Sequence, residues 1–336
     1  MRVYLDHNAT MPLRPQARAA MLAAMDVVGN PSSVHAEGRA ARAIVEAARD
    51  KVAAALGCAP TEVVFTSGAT EAASVLAQLP GGVEVEPTAH DALWQQRRAG
   101  EAGFYAMGLA NGETGVILPL PQRDDLLVDV TQAVGRIGFA FGWSGAAMAV
   151  LSAHKIGGPK GIGALILREG RQIPALQRGG GQELGRRSGT ENLIGIAGFG
   201  AAIEVAMQDL ANGVWDRVAE LRNTLEKALA AGSPETVFIG QGEDRLPNTS
   251  CFATPGWKGE TQVMAMDLAG FAVSAGSACS SGKVRESRVL RAMGHAAEVA
   301  ASALRVSLGP TTTRDEVLQF AQVWSEKRKK LRARAA

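Results

Sequence analysis

Short apolar runs, each closed by glycine or a polar residue, constrain this chain most. "EVVF", "LLVDV", "AAMAVLS" and "GALIL" are only a few residues long and rich in Val, Leu, Ile and Ala. That is the pattern of strands buried inside an α/β sheet, where both faces are covered and alternation is lost. Helical patterns separate them. "RAARAIVEAARDKVAAALG", Arg39 to Gly57, spaces its apolar residues for one helical face and ends on a glycine suited to a C-cap. "EVVFTSGATEAASVLAQL" predicts a strand, a tight Ser-Gly turn and an alanine-rich helix. "VAMQDLANGVWDRVAELRNTLEKALAAG" predicts a long helix broken near Gly213. Strand-like "ETVFIG" and "CFATPG" and a helix from about Thr313 then predict a smaller α+β domain.

Composition narrows the class. The 336 residues are 46% hydrophobic and 20% charged, ordinary for a globular enzyme and too apolar for a disordered chain. Net charge is +2, and the one basic run, "KRKKLRARAA", reads as a solvated helix end, so no nucleic-acid partner is expected. Cys58, Cys251 and Cys279 are odd in number and widely spaced, which supports neither a disulfide framework nor a metal site and fits a reducing cytoplasm. "MRVYLDHNAT" lacks an apolar signal core. The longest uncharged run, "IGFAFGWSGAAMAVLSA", is rich in Gly, Ser and Ala and reads as buried strand and turn, so no membrane association is expected.

Four local features carry chemistry. "TSGAT", Thr66 to Thr70, places small residues and hydroxyls at a helix start, either as an ordinary strand-to-helix turn or as a phosphate cradle. Lys155 in "LSAHKIGGPKGIGAL" lies between an apolar run and a glycine-dense loop. It is either a snorkelling lysine or a desolvated, nucleophilic Schiff-base lysine. Asp129 ends the "LLVD" run, where it either caps the next turn or holds the protonated nitrogen of a pyridine ring. "SAGSACSSGKV" surrounds Cys279 with the smallest residues, as a flexible turn or as a thiol on a mobile arm. A P-loop reading of that stretch fails, because five residues separate Gly276 from Gly282 and Val284 stands where Ser or Thr is required.

Taken in order, "YLDHNAT", "GNPSSVH", "TSGATE", "VDVTQAVG", "SAHKIGGPKGIGAL", "RRSGTEN", "SAGSACSS" and "LRVSLGP" resemble the NifS/IscS-like cysteine desulfurases, pyridoxal-phosphate enzymes of the class V aminotransferase group of fold type I. The resemblance implies a large domain with a mostly parallel central sheet flanked by helices over 12–208. It implies a smaller α+β domain from 1–11 and 209–336 that carries the Cys279 loop. It implies that Lys155 is the Schiff-base lysine for pyridoxal 5'-phosphate, that Asp129 pairs with the ring nitrogen, and that Gln132 faces the ring hydroxyl. Ala69, Thr70, Ser152 and His154 match phosphate-binding positions, and Thr190 matches one that reaches the phosphate of a neighbouring subunit in a homodimer. His90 matches the ring-stacking histidine, with a packed histidine as its bland alternative. Arg305 matches the arginine that holds the substrate carboxylate, with a structural ion pair as the alternative, and Asn30 is placed beside it. Cys279 matches the nucleophile that takes sulfur from L-cysteine as a persulfide, leaving alanine.

The long segment after Cys279 resembles the subgroup that delivers sulfur to iron–sulfur scaffolds, one acceptor among possible others. Selenocysteine lyase is an alternative activity, and a noncatalytic assembly partner of the same fold is an alternative of another class. Two departures stand out. "NGETG" has Gly112 where the family has a second asparagine, and the stretches from His90 to Asn111 and from Gly115 to Asp129 are shorter than in the family. The second departure predicts a trimmed sheet and more open active-site walls.

Overall fold

The computed structural model describes residues 2–101, 103–276 and 286–335, with side chains to 333. In chain order the elements begin with β1 (Val3–Tyr4), α1 (Pro15–Met25), α2 (Ala36–Leu56), β2 (Val63–Thr66), α3 (Ala69–Ala73), α4 (Val75–Gln78), β3 (Val83–Val85), α5 (Asp91–Trp94) and β4 (Phe104–Gly108). They continue with β5 (Leu126–Asp129), β6 (Met148–Ser152), β7 (Gly163–Leu167), α6 (Leu193–Ala211), α7 (Val214–Gly232), β8 (Val237–Phe238), β9 (Thr249–Ala253) and α8 (Gly259–Asp267). The last are β10 (Phe271–Ala272), β11 (Ser274–Ala275), α9 (Arg288–Ala292), α10 (Ala297–Ala301), β12 (Ala303–Ser307) and α11 (Arg314–Ala335).

Two compact units result. The larger comprises Thr10–Leu109 and Pro119–Ala211; the other comprises Met1–Ala9, Ala110–Leu118 and Asn212–Ala336. Segment 110–118, expected within the large domain, belongs instead to the other unit. Its backbone makes the reason plain: Val116 bridges Arg245, Ile117 N–H donates to the Asp244 carbonyl and Leu246 N–H to that of Gly115.

The larger unit is built on a six-stranded sheet in the order β2-β7-β6-β5-β4-β3. β3, β4, β5 and β6 run parallel and β7 runs against both of its neighbours. Val64, Leu127, Met148, Val150 and Leu165 form one core with Ala72, Leu76 and Leu93. Helices α1 and α2 pack on α6, whose 19 residues are long and apolar enough to cross a membrane by length and composition alone. In this fold its Ile196, Phe199 and Ile203 are buried. Glycine is required where β7 passes the Ser-Gly turn: a Cβ on Gly163 would lie 2.4 Å from the Leu151 carbonyl oxygen and 2.7 Å from Gly68 Cα.

β3 lies at one margin of this sheet, and Arg98 closes it. Arg98 and Val83 exchange both backbone hydrogen bonds (2.8 and 3.1 Å), while the Arg98 guanidinium donates to the carbonyls of Leu79 and Gly81. A charged side chain and a short antiparallel bridge are effective blocks on an open edge.

In the second unit the four-stranded sheet runs β11-β12-β9-β8, and β1 pairs with β10. Trp324 of α11 is fully buried against Phe252 and Trp257, its indole N–H donating to Gln262 Oε1 at 2.9 Å. The predicted long helix is two helices, because Gly213 adopts the left-handed conformation (φ 67°) between α6 and α7.

Candidate active site

In the larger unit the predicted cofactor residues gather at the carboxyl ends of β5 and β6 and at the helix start after β2. Asp129 closes β5 beside Val150 of β6. Its Oδ1 accepts from Thr131 N–H at 2.9 Å, while Oδ2 has no hydrogen bond among the described residues. Ser152 closes β6, and its Oγ accepts from Ala69 N–H at 2.8 Å, which fastens the "TSGAT" turn to the strand that leads to Lys155. With its lone pair so used, the hydroxyl hydrogen of Ser152 is left to donate elsewhere. Thr70 is exposed on the same turn.

His154 and Lys155 lie in a one-turn 3-10 helix directly after β6. The His154 Nδ1 meets Thr10 Oγ1 at 3.2 Å. Burial, reinforced by the charges of Lys155 and Lys160, pushes its pKa down to about 4, so the ring is neutral at pH 7. It is therefore a hydrogen-bonding group and not a cation.

Arg136, which the sequence reading did not single out, braces the lysine turn. This buried guanidinium donates from Nη2 to the Lys155 carbonyl at 2.9 Å, and from Nη1 to the Gln132 carbonyl at 2.9 Å and to Gln132 Oε1. Gln132 Oε1 thus faces Arg136 and its amide nitrogen faces the other way. A fully charged residue four positions after Gln132 in the apolar "TQAVGRIGF" was the available signal.

Three further predicted residues of this unit lie in loops or at a helix start. His90 is exposed and caps α5, its Nδ1 accepting from Ala92 N–H at 3.1 Å, which places the proton of the neutral ring on Nε2. Asn30 is exposed in an Asx turn, Oδ1 accepting from Ser32 N–H at 2.9 Å. Thr190 is exposed and lines a cavity of about 190 Å³ with Thr66, Ser67 and Arg187; Lys155 does not line it.

Arg305 belongs to the other unit. It projects from β12 with a side chain only 13% exposed, donates from Nη2 to Asp6 Oδ1 at 2.8 Å and from Nη1 to the Gly112 carbonyl at 2.9 Å. The ion-pair reading of Arg305 is thus realised, with two of its five N–H donors engaged. Cys279 falls outside the described residues. Cys251 is fully buried, and burial holds its thiol well above the ordinary range; Cys58 is pushed up to about 12 by burial and by Glu62.

The residues present suit a pyridoxal phosphate: an amine on a braced turn for its aldehyde, a carboxylate oxygen for its ring nitrogen, and neutral hydroxyl and imidazole donors for its phosphate. The model of the aminotransferase class-V family matches residues 3–89 and 104–320. A cysteine desulfurase of Cereibacter sphaeroides is 38% identical over 369 aligned positions, covering 96% of this chain and 94% of the relative. This chain belongs to the cysteine desulfurase family. A second family member, from Klebsiella pneumoniae, is 36% identical over 94% of this chain and 90% of its own. The X-ray structure of a NifS-like protein from Rickettsia africae superposes with a TM-score of 0.88 at 28% identity, covering 98% of this chain and all of that one. The family match lapses over 90–103, the stretch that contains α5 and Arg98 and begins with His90.

Proposed function

We propose that this protein is a pyridoxal-phosphate-dependent cysteine desulfurase that converts L-cysteine to L-alanine and passes the sulfur, as a Cys279 persulfide, to an acceptor protein. The observation that carries the reading is the turn after β6, where Ser152, His154 and Lys155 follow one another beside Asp129 of the adjacent strand. When bound, pyridoxal phosphate supplies an electron sink conjugated to the substrate α-carbon. Asp129 Oδ2 holds the ring-nitrogen proton, and Ser152 and neutral His154 donate to phosphate oxygens. Lys155, its backbone fixed by Arg136, moves the α-proton through its Nζ. Arg305 takes the substrate carboxylate on its remaining N–H groups. His90 is the residue proposed to stack on the cofactor ring.

Cys279 enters on the sequence alone. Its thiolate attacks the substrate sulfur; an S–S bond forms as the Cβ–S bond breaks, and the bonding pair stays with the carbon fragment, which is protonated to alanine. A homodimer belongs to the same proposal, supported by the exposed Leu184 and Thr190 on the segment between β7 and α6. An iron–sulfur scaffold is the proposed acceptor, supported by the long segment after Cys279.

The test is mass analysis of the holoenzyme after brief exposure to L-cysteine without reductant, with alanine quantified in the same sample. One added sulfur on Cys279 with matching alanine is expected. Alanine without the adduct would replace this reading by a lyase that bypasses the thiol, and neither product would overturn the proposed activity.

A further inference from the structure

Arginine cannot shed its proton to enter a protein interior, so a guanidinium as enclosed as Arg305 must be held by acceptors. Those acceptors also decide which of its hydrogens remain for a ligand. Asp6 Oδ1 takes one hydrogen of Nη2 and the Gly112 carbonyl takes one of Nη1, while Nε is buried with no hydrogen bond among the described residues. Three donors remain, Nε–H among them, enough for the two parallel bonds of a carboxylate.

The holder is itself fixed on two sides. Asp6 forms a backbone bridge with Ser307, two residues along β12 from Arg305. Its second oxygen, Oδ2, accepts from Ser274 Oγ at 2.8 Å, and Ser274 is the cross-strand neighbour of Arg305. The other brace is equally firm: Asn8 Nδ2 donates to the same Gly112 carbonyl at 3.1 Å and to Thr249 Oγ1 at 2.8 Å. A long side chain with four rotatable bonds is thereby kept in one orientation before any ligand arrives, which lowers the entropy lost on binding.

We infer that Asp6 is a positioning residue for substrate recognition: one carboxylate oxygen aims Arg305 at the substrate carboxylate, and the other ties that arginine to Ser274, five residues before Cys279 in sequence. The inference rests on the reading of Arg305 as the carboxylate receptor. It has a definite sign. Were Asp6 merely a competing anion, its removal would strengthen binding of a carboxylate; as a positioning group, its removal weakens it.

The experiment compares L-cysteine with L-cysteine methyl ester, which lacks the carboxylate, in wild-type holoenzyme, Asp6→Ala and Arg305→Ala. Asp6→Ala is expected to raise KM for cysteine by about 30- to 100-fold, the lower end of the loss when one partner of an enclosed charge pair is cut back, while kcat falls less than about 5-fold. Its kcat/KM for the ester stays near the wild-type value. A spectral titration with L-alanine, which involves no turnover, is expected to show the same weakening in Kd. Equal losses for acid and ester would mean a purely structural role and overturn the inference, as would tighter alanine binding. If Arg305→Ala still discriminates acid from ester, the carboxylate reading of Arg305 falls; if Arg305→Ala loses discrimination and Asp6→Ala keeps it, only the role of Asp6 falls. Should Asp6→Ala fail to fold, Asp6→Asn keeps both hydrogen-bond positions without the charge. A smaller loss in the same direction is then expected, and no change in the acid-to-ester ratio would overturn the inference.

Discussion

His154 and Arg305 each carry a basic group into the protein interior, one in each unit, and the chain treats them in opposite ways. The imidazole gives up its charge: burial beside Lys155 and Lys160 brings its pKa to about 4, and its Nδ1 meets the Thr10 hydroxyl at 3.2 Å. The guanidinium keeps its charge and is given Asp6 and a backbone carbonyl instead. Where the side chain can titrate, desolvation settles the matter cheaply; where it cannot, the fold has to supply a partner. The two solutions suit the two proposed tasks. A phosphate turn already rich in N–H donors gains from a neutral donor, and carboxylate recognition needs a permanent fork.

The comparison is broken most severely by removing one partner of a permanently charged pair. Arg49 is another case: its guanidinium meets both Glu183 oxygens at 2.8 and 2.9 Å, and Glu183 also accepts from Phe65 N–H at 3.0 Å. That grip holds two successive non-glycine residues, Glu183 and Leu184, in the left-handed region (φ 49° and 57°). Arg49→Ala is expected to cost about 3–5 kcal/mol, because it strands a buried carboxylate; chemical denaturation of the holoenzyme measures it.

A smaller effect belongs to the group that gives up its charge. The folded-state pKa of His154, about 4, lies below its ordinary 6.5. The unfolded chain therefore binds a proton first as pH falls, and stability drops between about pH 6.5 and 4. With solvent screening of this half-buried ring, the loss is about 1–2 kcal/mol. Denaturation midpoints at pH 7 and pH 5 check it, and His154→Gln is expected to flatten that slope.

The smallest effect concerns thiols, which like His154 remain neutral when buried. Cys58, pushed up to about 12, and the enclosed Cys251 are expected to escape alkylation by iodoacetamide at pH 8 in the native protein, read by mass. Cys58→Ser is expected to leave desulfuration within about twofold of wild type and stability within about 1 kcal/mol.

Much of the larger unit was legible along the chain. The runs "EVVF", "LLVDV", "AAMAVLS" and "GALIL" became β2, β5, β6 and β7, since their patterns report burial on both faces directly. The helix read over 39–57 begins three residues earlier, at Ala36, where His35 Nδ1 accepts from Gly38 N–H; histidine is a weak capping signal. The alanine-rich helix after "TSG" is interrupted at Ser74, whose hydroxyl donates to the Glu71 carbonyl. Segment 110–118 carried no local mark of its unit, because its membership lies in pairing with residues 244–246.

Local sequence, then, determined the strands, the strand-to-helix turn, and the small set of reactive residue types, because each depends on neighbours within a few positions. Tertiary structure decided the bracing. Arg136 under Lys155, Thr10 against His154, and Asp6 against Arg305 are pairings across 19, 144 and 299 positions. No periodicity encodes such distances; they arise only when strands and loops are registered against one another, and desolvation then gives each charged or polar contact its energetic weight.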